Sequence, residues 1–261
     1  MSPPSISAVF VVRDAASTIA SMVVVADRVL RSLAADYELL VVDAGSRDHT
    51  AAILRELAPR YRGLRVVDCP GDRGYGAALR RGLAAASKDL IVYAPGDARY
   101  DPRDFARLLE VLAPDVDVVA GFPAGRREGL AARTRRGLVR RMFRLPVRRI
   151  DGDCRLLRRR VLDRVRLEED GELVSLELAA KVQQAGYRVA EAPVSYCERV
   201  EPRSSLPWLV HTARGGARLW WRLQWRGEFR RALAEQDAVA QLIGGPPAVA
   251  PEARHQGAGS A

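Results

Sequence analysis

The sequence predicts an α/β domain built on a Rossmann-like, mainly parallel sheet covered by helices on both faces, and three observations predict it. Short, continuous apolar runs alternate with helix-patterned segments through the first half of the chain. Two of those runs end on an acid followed or preceded by turn formers, at Val42-Asp43-Ala44-Gly45-Ser46 and Ala94-Pro95-Gly96-Asp97. Between them a glycine-spaced loop, Gly71-Asp72-Arg73-Gly74-Tyr75-Gly76, enters a helix. Open sheets of this kind bind ligands beyond the carboxyl ends of their strands, so all three features fall where a site is expected.

The elements follow in order. Strands are expected at Ile6–Val12, Tyr37–Val42, Leu64–Val67, Leu90–Ala94 and Val116–Ala120, and helices at about Ala15–Ser32, Asp48–Tyr61, Gly76–Ala86 and Pro102–Leu112. The basic stretch from Arg126 to Arg149 holds ten arginines. Leu173–Ala185 reads as a helix, and Tyr187–Tyr196 as extended chain broken by Pro193. Three units are expected: a catalytic-type domain over 1–205, a Trp- and Arg-rich helical extension over 206–240, and a disordered Gly/Pro/Ala tail over 241–261.

Composition narrows the classes. A chain of 261 residues with 48% hydrophobic content can build one sizeable core, which excludes global disorder. The formal charge of +10 rests on arginine, since Lys88 and Lys181 are the two lysines. Arginine grips phosphate bidentately, so a phosphate-bearing partner is one reading; biased composition is the other. Cys69, Cys154 and Cys197 lack metal-ligand spacing and point to a reducing compartment. With no hydrophobic signal core and no run of eighteen apolar residues, the expectation is a cytoplasmic protein, touching a membrane at most from its inner face. No nucleic-acid module is visible, and nucleic acid is not expected as a partner.

Each strand end carries a chemical expectation. An acid at a strand tip, such as Asp43, can accept hydrogen bonds from a base or ribose, with Gly45 permitting the turn and Ser46 or Asp48 capping the next helix. In the loop that carries Asp72, Gly71, Gly74 and Gly76 allow close backbone approach to a ligand, and a helix N-terminus favours an anion.

The sequence resembles the family 2 glycosyltransferases, above all their polyprenyl-phosphate (dolichol-phosphate) mannose synthase-like branch. The residues that carry the resemblance are Val42 to Thr50, Asp72 to Ala78, the Asp153, Arg155, Leu156, Arg158, Arg159 set, and Gly186 through Arg199, in order over about residues 5–205. It implies a GT-A fold that binds a nucleoside diphosphate sugar and passes the sugar to a lipid-linked, phosphate-bearing or hydroxyl acceptor, with inversion. It implies that Asp14 and Asp43 hold the nucleoside, that Asp97 lies near the diphosphate and any metal, and that Asp153, with Asp151 as the fallback and Arg155 beside it, faces the acceptor. Glu177 matches an acid the family carries on that helix, ordering arginines there or acting as a solvated capping carboxylate; Arg199 falls at the end of the closing motif. Polyprenyl phosphate and a membrane surface are the implied partners, the latter through Trp220, Trp221, Trp225 and the arginines around them.

The sequence departs from the family pattern at the metal motif. Pro95 stands where one carboxylate is expected and Arg99 where a glutamine is expected. Binding of Mg²⁺ or Mn²⁺ is therefore weakened, and Arg99 becomes a candidate to engage diphosphate oxygens, or else a solvent-facing partner of Asp101. The alternative reading of the whole is a degenerate GT-A domain that binds a nucleotide or partner without turnover.

Overall fold

In the computed structural model, residues 3–69, 74–125, 130–143, 145, 153–197, 215–225 and 227–242 are described. Seven strands form one sheet: β1 (Ser5–Val12), β2 (Asp36–Asp43), β3 (Leu64–Asp68), β4 (Leu90–Pro95), β5 (Val118–Pro123), β6 (Arg155–Arg158) and β7 (Val189–Val194). Their spatial order is β3-β2-β1-β4-β6-β5-β7, and every neighbouring pair is parallel except those made by β6. Helices are α1 (Ile19–Leu33), α2 (Thr50–Leu57), α3 (Tyr75–Ala85), α4 (Phe105–Val111), α5 (Leu130–Phe143), α6 (Arg159–Arg164), α7 (Val174–Gln184) and α8 (Glu228–Leu242). A helical stretch over 215–220 runs into a wider π turn at Trp221–Trp225 before α8.

The pleat sorts each strand's side chains between two cores. From β1, Val9 and Val11 enter one core with Leu79 and Leu83 of α3 and Leu178 and Val182 of α7. Ala8, Phe10 and Val12 enter the other, against Val23 and Leu30 of α1, Leu54 of α2 and Leu108 of α4. Full burial of each large aliphatic contributes about 1.5–3 kcal/mol, so a sheet covered on both faces is the stable form of these runs. Gly82 lets α3 lie close on the sheet: a Cβ there would come within 2.5 Å of Val9 and 2.7 Å of Val42.

Several elements differ from the sequence expectation. β6 and α6 lie where no element was assigned from the sequence, and α5 is a helix inside the basic segment. Pro193 does not break β7; it sits inside it, on an edge strand opposite Phe122, where a missing N–H is tolerated. Leu219, Leu223, Phe229 and Leu233 from the C-terminal helices join the α3/α7 core. The positions 206–214 and 243–261 lie outside the described residues.

β6 runs antiparallel between β4 and β5, so its first residue lies at the same sheet edge as the last residues of β1, β2 and β4. That reversal brings Asp153 and Arg155 to the strand ends that carry Asp14, Asp43 and Asp97.

Candidate active site

The β1 and β2 ends are laced together. Asp43 Oδ1 accepts from the Ser46 amide at 2.9 Å and from its hydroxyl at 2.6 Å, and Ser46 Oγ in turn accepts the Asp14 amide at 3.0 Å. Asp14, in the left-handed region at φ 51°, accepts the Arg47 amide at 2.7 Å. Gly45, at φ 80°, makes the turn that closes this ring. The N-cap position of α2 is His49, yet it is Asp48 whose carboxylate accepts the amide of α2's first residue, Thr50, at 2.9 Å. Asp48 also ties the two loops, accepting the Ala16 amide at 2.9 Å.

The α3 entrance is shaped by a loop from the far half of the chain. Gly74 has φ 90°, and a Cβ on it would stand 2.5 Å from the Asp170 carbonyl oxygen. A Cβ on Gly76 would overlap the Glu169 carbonyl oxygen. That closeness lets Asp170 O accept the Gly76 and Ala77 amides at 2.8 and 3.2 Å, while Arg80 pairs with the Asp170 carboxylate. Asp72 lies outside the described residues.

At the end of β4, Arg99 turns back onto Asp97. Its Nε donates to Asp97 Oδ2 at 2.5 Å, and its backbone amide reaches Asp97 Oδ1 at 3.2 Å. Ala98 between them adopts φ 62°, a conformation disfavoured for a residue with a Cβ and the one that folds the two side chains together. The pair is mostly enclosed, with 17% of the Arg99 and 23% of the Asp97 side chain exposed. Arg99 therefore neither points to solvent nor pairs with Asp101, which binds Arg103 at 3.1 Å and caps the short turn Pro102–Asp104. Burial opposes the Arg99 charge, but Asp97 and Tyr196 raise its pKa from the ordinary value, so it stays a cation.

Asp153 faces this pair from the start of β6. Ser175 on α7 donates to its Oδ1 at 2.8 Å, and its amide donates to the Tyr100 hydroxyl at 3.1 Å. Burial pushes the Asp153 pKa up; the Ser175 hydrogen bond and the charges of Arg155 and Arg99 pull it back, and Glu172 adds to the rise. Arg155 is buried on β6, opposite Tyr93. Asp151 and Arg199 lie outside the described residues.

Glu177 is neither solvated nor bound to arginine. It is fully buried, accepts the Glu168 and Glu169 amides at 2.9–3.1 Å, and pairs with Lys181 at 2.8 Å. Arginine enters one step further out, where Arg222 reaches Glu168 at 2.5 Å.

Sequence reasoning missed three tyrosines and a serine. Tyr75, Tyr93 and Tyr100 are all within electrostatic reach of Asp153, and burial raises the pKa of each phenol. The buried Tyr75 hydroxyl has no hydrogen-bond partner among the described residues, a cost tolerated where a ligand completes the bond. The signal for Tyr75 was present in Gly74-Tyr75-Gly76, an aromatic held between two glycines at a helix start; Ser175 carried none. Cys154, whose thiol burial pushes up to about 12, is a packing residue rather than a nucleophile.

Comparison with known proteins agrees with this geometry. A 32% identical relative over 187 residues, covering 68% of this chain and 82% of its own length, is an uncharacterized glycosyltransferase of Mycobacterium tuberculosis. An undecaprenyl-phosphate 4-deoxy-4-formamido-L-arabinose transferase of Sodalis glossinidius is 31% identical over 137 residues, 50% of this chain and 42% of that one. Among solved structures, glucosyl-3-phosphoglycerate synthase of M. tuberculosis, in complex with UDP, superposes with TM-score 0.65 at 23% identity over 84% of this chain and 79% of its own. The same enzyme is also known with Mn²⁺, UDP and glucosyl-3-phosphoglycerate. The fold is thus the GT-A glycosyltransferase fold. The model of glycosyl transferase family 2 matches residues 23–166, and the chain belongs to that family of enzymes.

Proposed function

We propose that this glycosyltransferase moves a sugar from a nucleoside diphosphate sugar to a phosphate-bearing, lipid-linked acceptor, with inversion at the anomeric carbon. The observation that carries the reading is the charge set gathered where paired strands β4 and β6 meet the site: Arg99 held on Asp97 beyond β4, and buried Asp153 before β6, held by Ser175 and within the field of Arg99. The ring of Asp14, Asp43, Gly45 and Ser46 supports a nucleoside subsite, because its acids and amides are already fixed before any ligand arrives.

The chemistry is a single displacement. An acceptor oxygen forms a bond to the anomeric carbon while the bond from that carbon to the diphosphate oxygen breaks, and its electron pair leaves with the diphosphate. Positive charge builds on the sugar and one further negative charge on the leaving group, so fixed donors aimed at the diphosphate are the main demand. A hydroxyl acceptor, or a phosphate still carrying a proton, gives that proton to Asp153; a dianionic phosphate needs no base.

Among the described residues, those at the β4 end do not fit a divalent cation. Mg²⁺ and Mn²⁺ ask for several oxygen ligands, yet Pro95 replaces one family carboxylate and Asp97 is engaged by Arg99. Among the described residues no cluster of three His, Cys, Asp or Glu could hold a metal. No step is therefore routed through one.

A lipid-linked acceptor is supported by α5, whose exposed Leu130 and Leu138 lie among Arg133 and Arg141, with exposed Trp221 on the neighbouring helical stretch. Trp220 joins the two, donating to the Met142 carbonyl at 3.0 Å. No described helix is long and apolar enough to cross a membrane; the contact proposed for α5 is made by its exposed face at the membrane surface.

The test is a panel of nucleoside diphosphate sugars incubated with short-chain polyprenyl phosphates, with release of nucleoside diphosphate measured. Turnover with one pair is expected, and Asp153→Asn should lower it by roughly 10²–10⁴-fold where the acceptor carries a proton. Nucleotide binding with no turnover of any donor would overturn the reading in favour of a binding-only domain.

A further inference from the structure

We propose that Arg99 takes over the work of a divalent cation in this chain, and that Asp97 has changed from a ligand for that cation into the positioning residue of the guanidinium. This rests on the nucleoside diphosphate reading above and says how the leaving group is held.

Gly96 leaves β4 against the sheet, where a Cβ would overlap Val12, so the turn that follows has no room to slide inward. Its other side is tied down as well: the Arg99 carbonyl accepts the Cys197 amide at 2.9 Å, and Tyr100 bridges to Tyr196 as a short antiparallel contact. Within that fixed frame Ala98 holds the left-handed conformation, and Asp97 takes both the Arg99 amide and its Nε–H. Strain of this kind persists only where the surroundings over-determine it, and it collects at sites that need a preset geometry.

The electrostatics follow from the donor count. A guanidinium carries five N–H donors in a rigid plane; Asp97 takes the Nε–H and Tyr196 also hydrogen-bonds the group, which leaves further donors on the terminal nitrogens. The terminal nitrogens are the face that matches two oxygens of a phosphate at once. A cation at this point serves a diphosphate as a metal would: its charge is fixed, it is desolvated before the ligand arrives, and it needs no reorganisation as the leaving group gains charge. It also rejects the metal, because a divalent ion at Asp97 must first displace an ion pair whose side chains are largely withdrawn from water. Pro95, which cannot ligate through its side chain, removes the second family carboxylate from the same turn.

The test is calorimetric titration of the full chain with UDP, GDP, ADP, CDP and dTDP and the matching monophosphates, in EDTA and in Mn²⁺. Wild type should bind its preferred diphosphate in EDTA, with little change on adding Mn²⁺. Arg99→Gln should weaken the diphosphate in EDTA by roughly ten- to a hundredfold, the value of a charge-assisted bidentate contact, and leave the monophosphate within about threefold. Mn²⁺ should restore part of the lost affinity to Arg99→Gln, since Asp97 is then released to ligate. Asp97→Asn should lower diphosphate affinity in EDTA, and unlike a merely structural lesion it should spare the monophosphate. Diphosphate binding by wild type that requires Mn²⁺, or an Arg99→Gln variant equal to wild type in EDTA, would overturn the role of Arg99. Failure of every diphosphate to bind in either condition would instead overturn the nucleotide-sugar reading, and this inference with it.

Discussion

Glu177 and Lys181 stand one turn apart on α7 with 2.8 Å between carboxylate and ammonium, and neither side chain reaches solvent. The pair is a staple for the loop ahead of α7. Glu177 accepts the amides of Glu168 and Glu169, and Lys181 donates to the Arg166 carbonyl at 2.6 Å and to Glu168 at 3.0 Å. The same loop presents Asp170 O to the start of α3, so the staple sets the entrance beside Tyr75. Removing one partner of a buried pair leaves the other charge uncompensated. Lys181→Met should therefore destabilise the fold by about 3–5 kcal/mol, and Lys181→Met with Glu177→Gln by clearly less than the sum of the single changes. Urea unfolding of the three variants measures this; additive losses would show that the two charges are not coupled.

Asp43 lends itself to a binding test. Its carboxylate fixes Ser46, and Ser46 fixes Asp14, so its loss removes a ligand contact and loosens the ring behind it. Asp43→Ala should cost about 1–3 kcal/mol of nucleotide affinity, for mono- and diphosphate alike. That uniform loss separates it from Arg99→Gln, whose effect should appear only when a second phosphate is present. Affinity unchanged in a folded Asp43→Ala variant would remove the nucleoside role.

Glu38 gives a pH dependence with a definite sign. Burial opposes its charge, but bonds from Ser7, Ser87 and Arg65 outweigh that and lower its pKa below the ordinary 4.5. The Ser7 hydroxyl lies at 2.7 Å and the Ser87 amide at 2.6 Å, joining β1, β2 and the turn before β4. A depressed folded pKa means that the stabilisation is complete above the unfolded value and is lost as pH falls through the folded one. Thermal melts should fall in this acid window, and Glu38→Gln should flatten that part of the curve. An unchanged slope would mean that other carboxylates carry it.

The sheet was legible because its strands are continuous apolar runs, and the Asp43 and Asp97 strand ends because a turn former follows or precedes each acid. β6 was not, because Arg155 and Arg158 flank Leu156 and Leu157, and four residues reading Arg-Leu-Leu-Arg carry no period of their own. Only the sheet shows that Arg155 is buried. The Arg99–Asp97 contact was illegible for a different reason: it depends on Ala98 at φ 62°, and alanine is not a residue whose presence announces a left-handed turn. Glu177 read as an arginine-ordering or solvated acid: its partner Lys181 stands at i+4 in plain view, but the backbone amides eight and nine residues earlier that complete its burial have no sequence signature.

The C-terminal stretch was expected either to meet a membrane surface or to pack on the domain with its arginines in solvent, and truncation near Ser205 is the obvious experiment. The structure argues against that design, since Leu219, Leu223, Phe229 and Leu233 belong to the core and their loss would expose it. Point changes on the surface serve better. Leu130 is 80%, Leu138 58% and Trp221 43% exposed. Leu130→Ser with Leu138→Ser should cut sedimentation with phosphatidylglycerol vesicles by roughly tenfold or more, given the apolar area each leucine can bury. Phosphatidylcholine vesicles and high salt should weaken wild-type binding, because the flanking arginines act through charge. Equal binding by wild type and the double variant would end the case for α5.

Asp153 distinguishes the two acceptor chemistries through pH. Its pKa is raised, chiefly by burial, so it stays protonated to higher pH than an exposed aspartate and its basic form is lost earlier as pH falls. Any step that uses it as a base therefore has an acid limb above the ordinary carboxylate range. Ser175→Ala, which removes a bond favouring the ionised form, should move that limb higher; Glu172→Gln, which removes a repelling charge, should move it lower. A phosphate monoester loses its last proton with a second pKa of about 6. With such an acceptor, Asp153→Asn should be strongly impaired below pH about 6 and much less so above it, because the dianion needs no base. With a hydroxyl acceptor the defect should persist across the whole range. Profiles of kcat/KM for wild type and Asp153→Asn, taken with one polyprenyl phosphate, read the difference directly, and a defect of constant size would count against the phosphate-bearing acceptor.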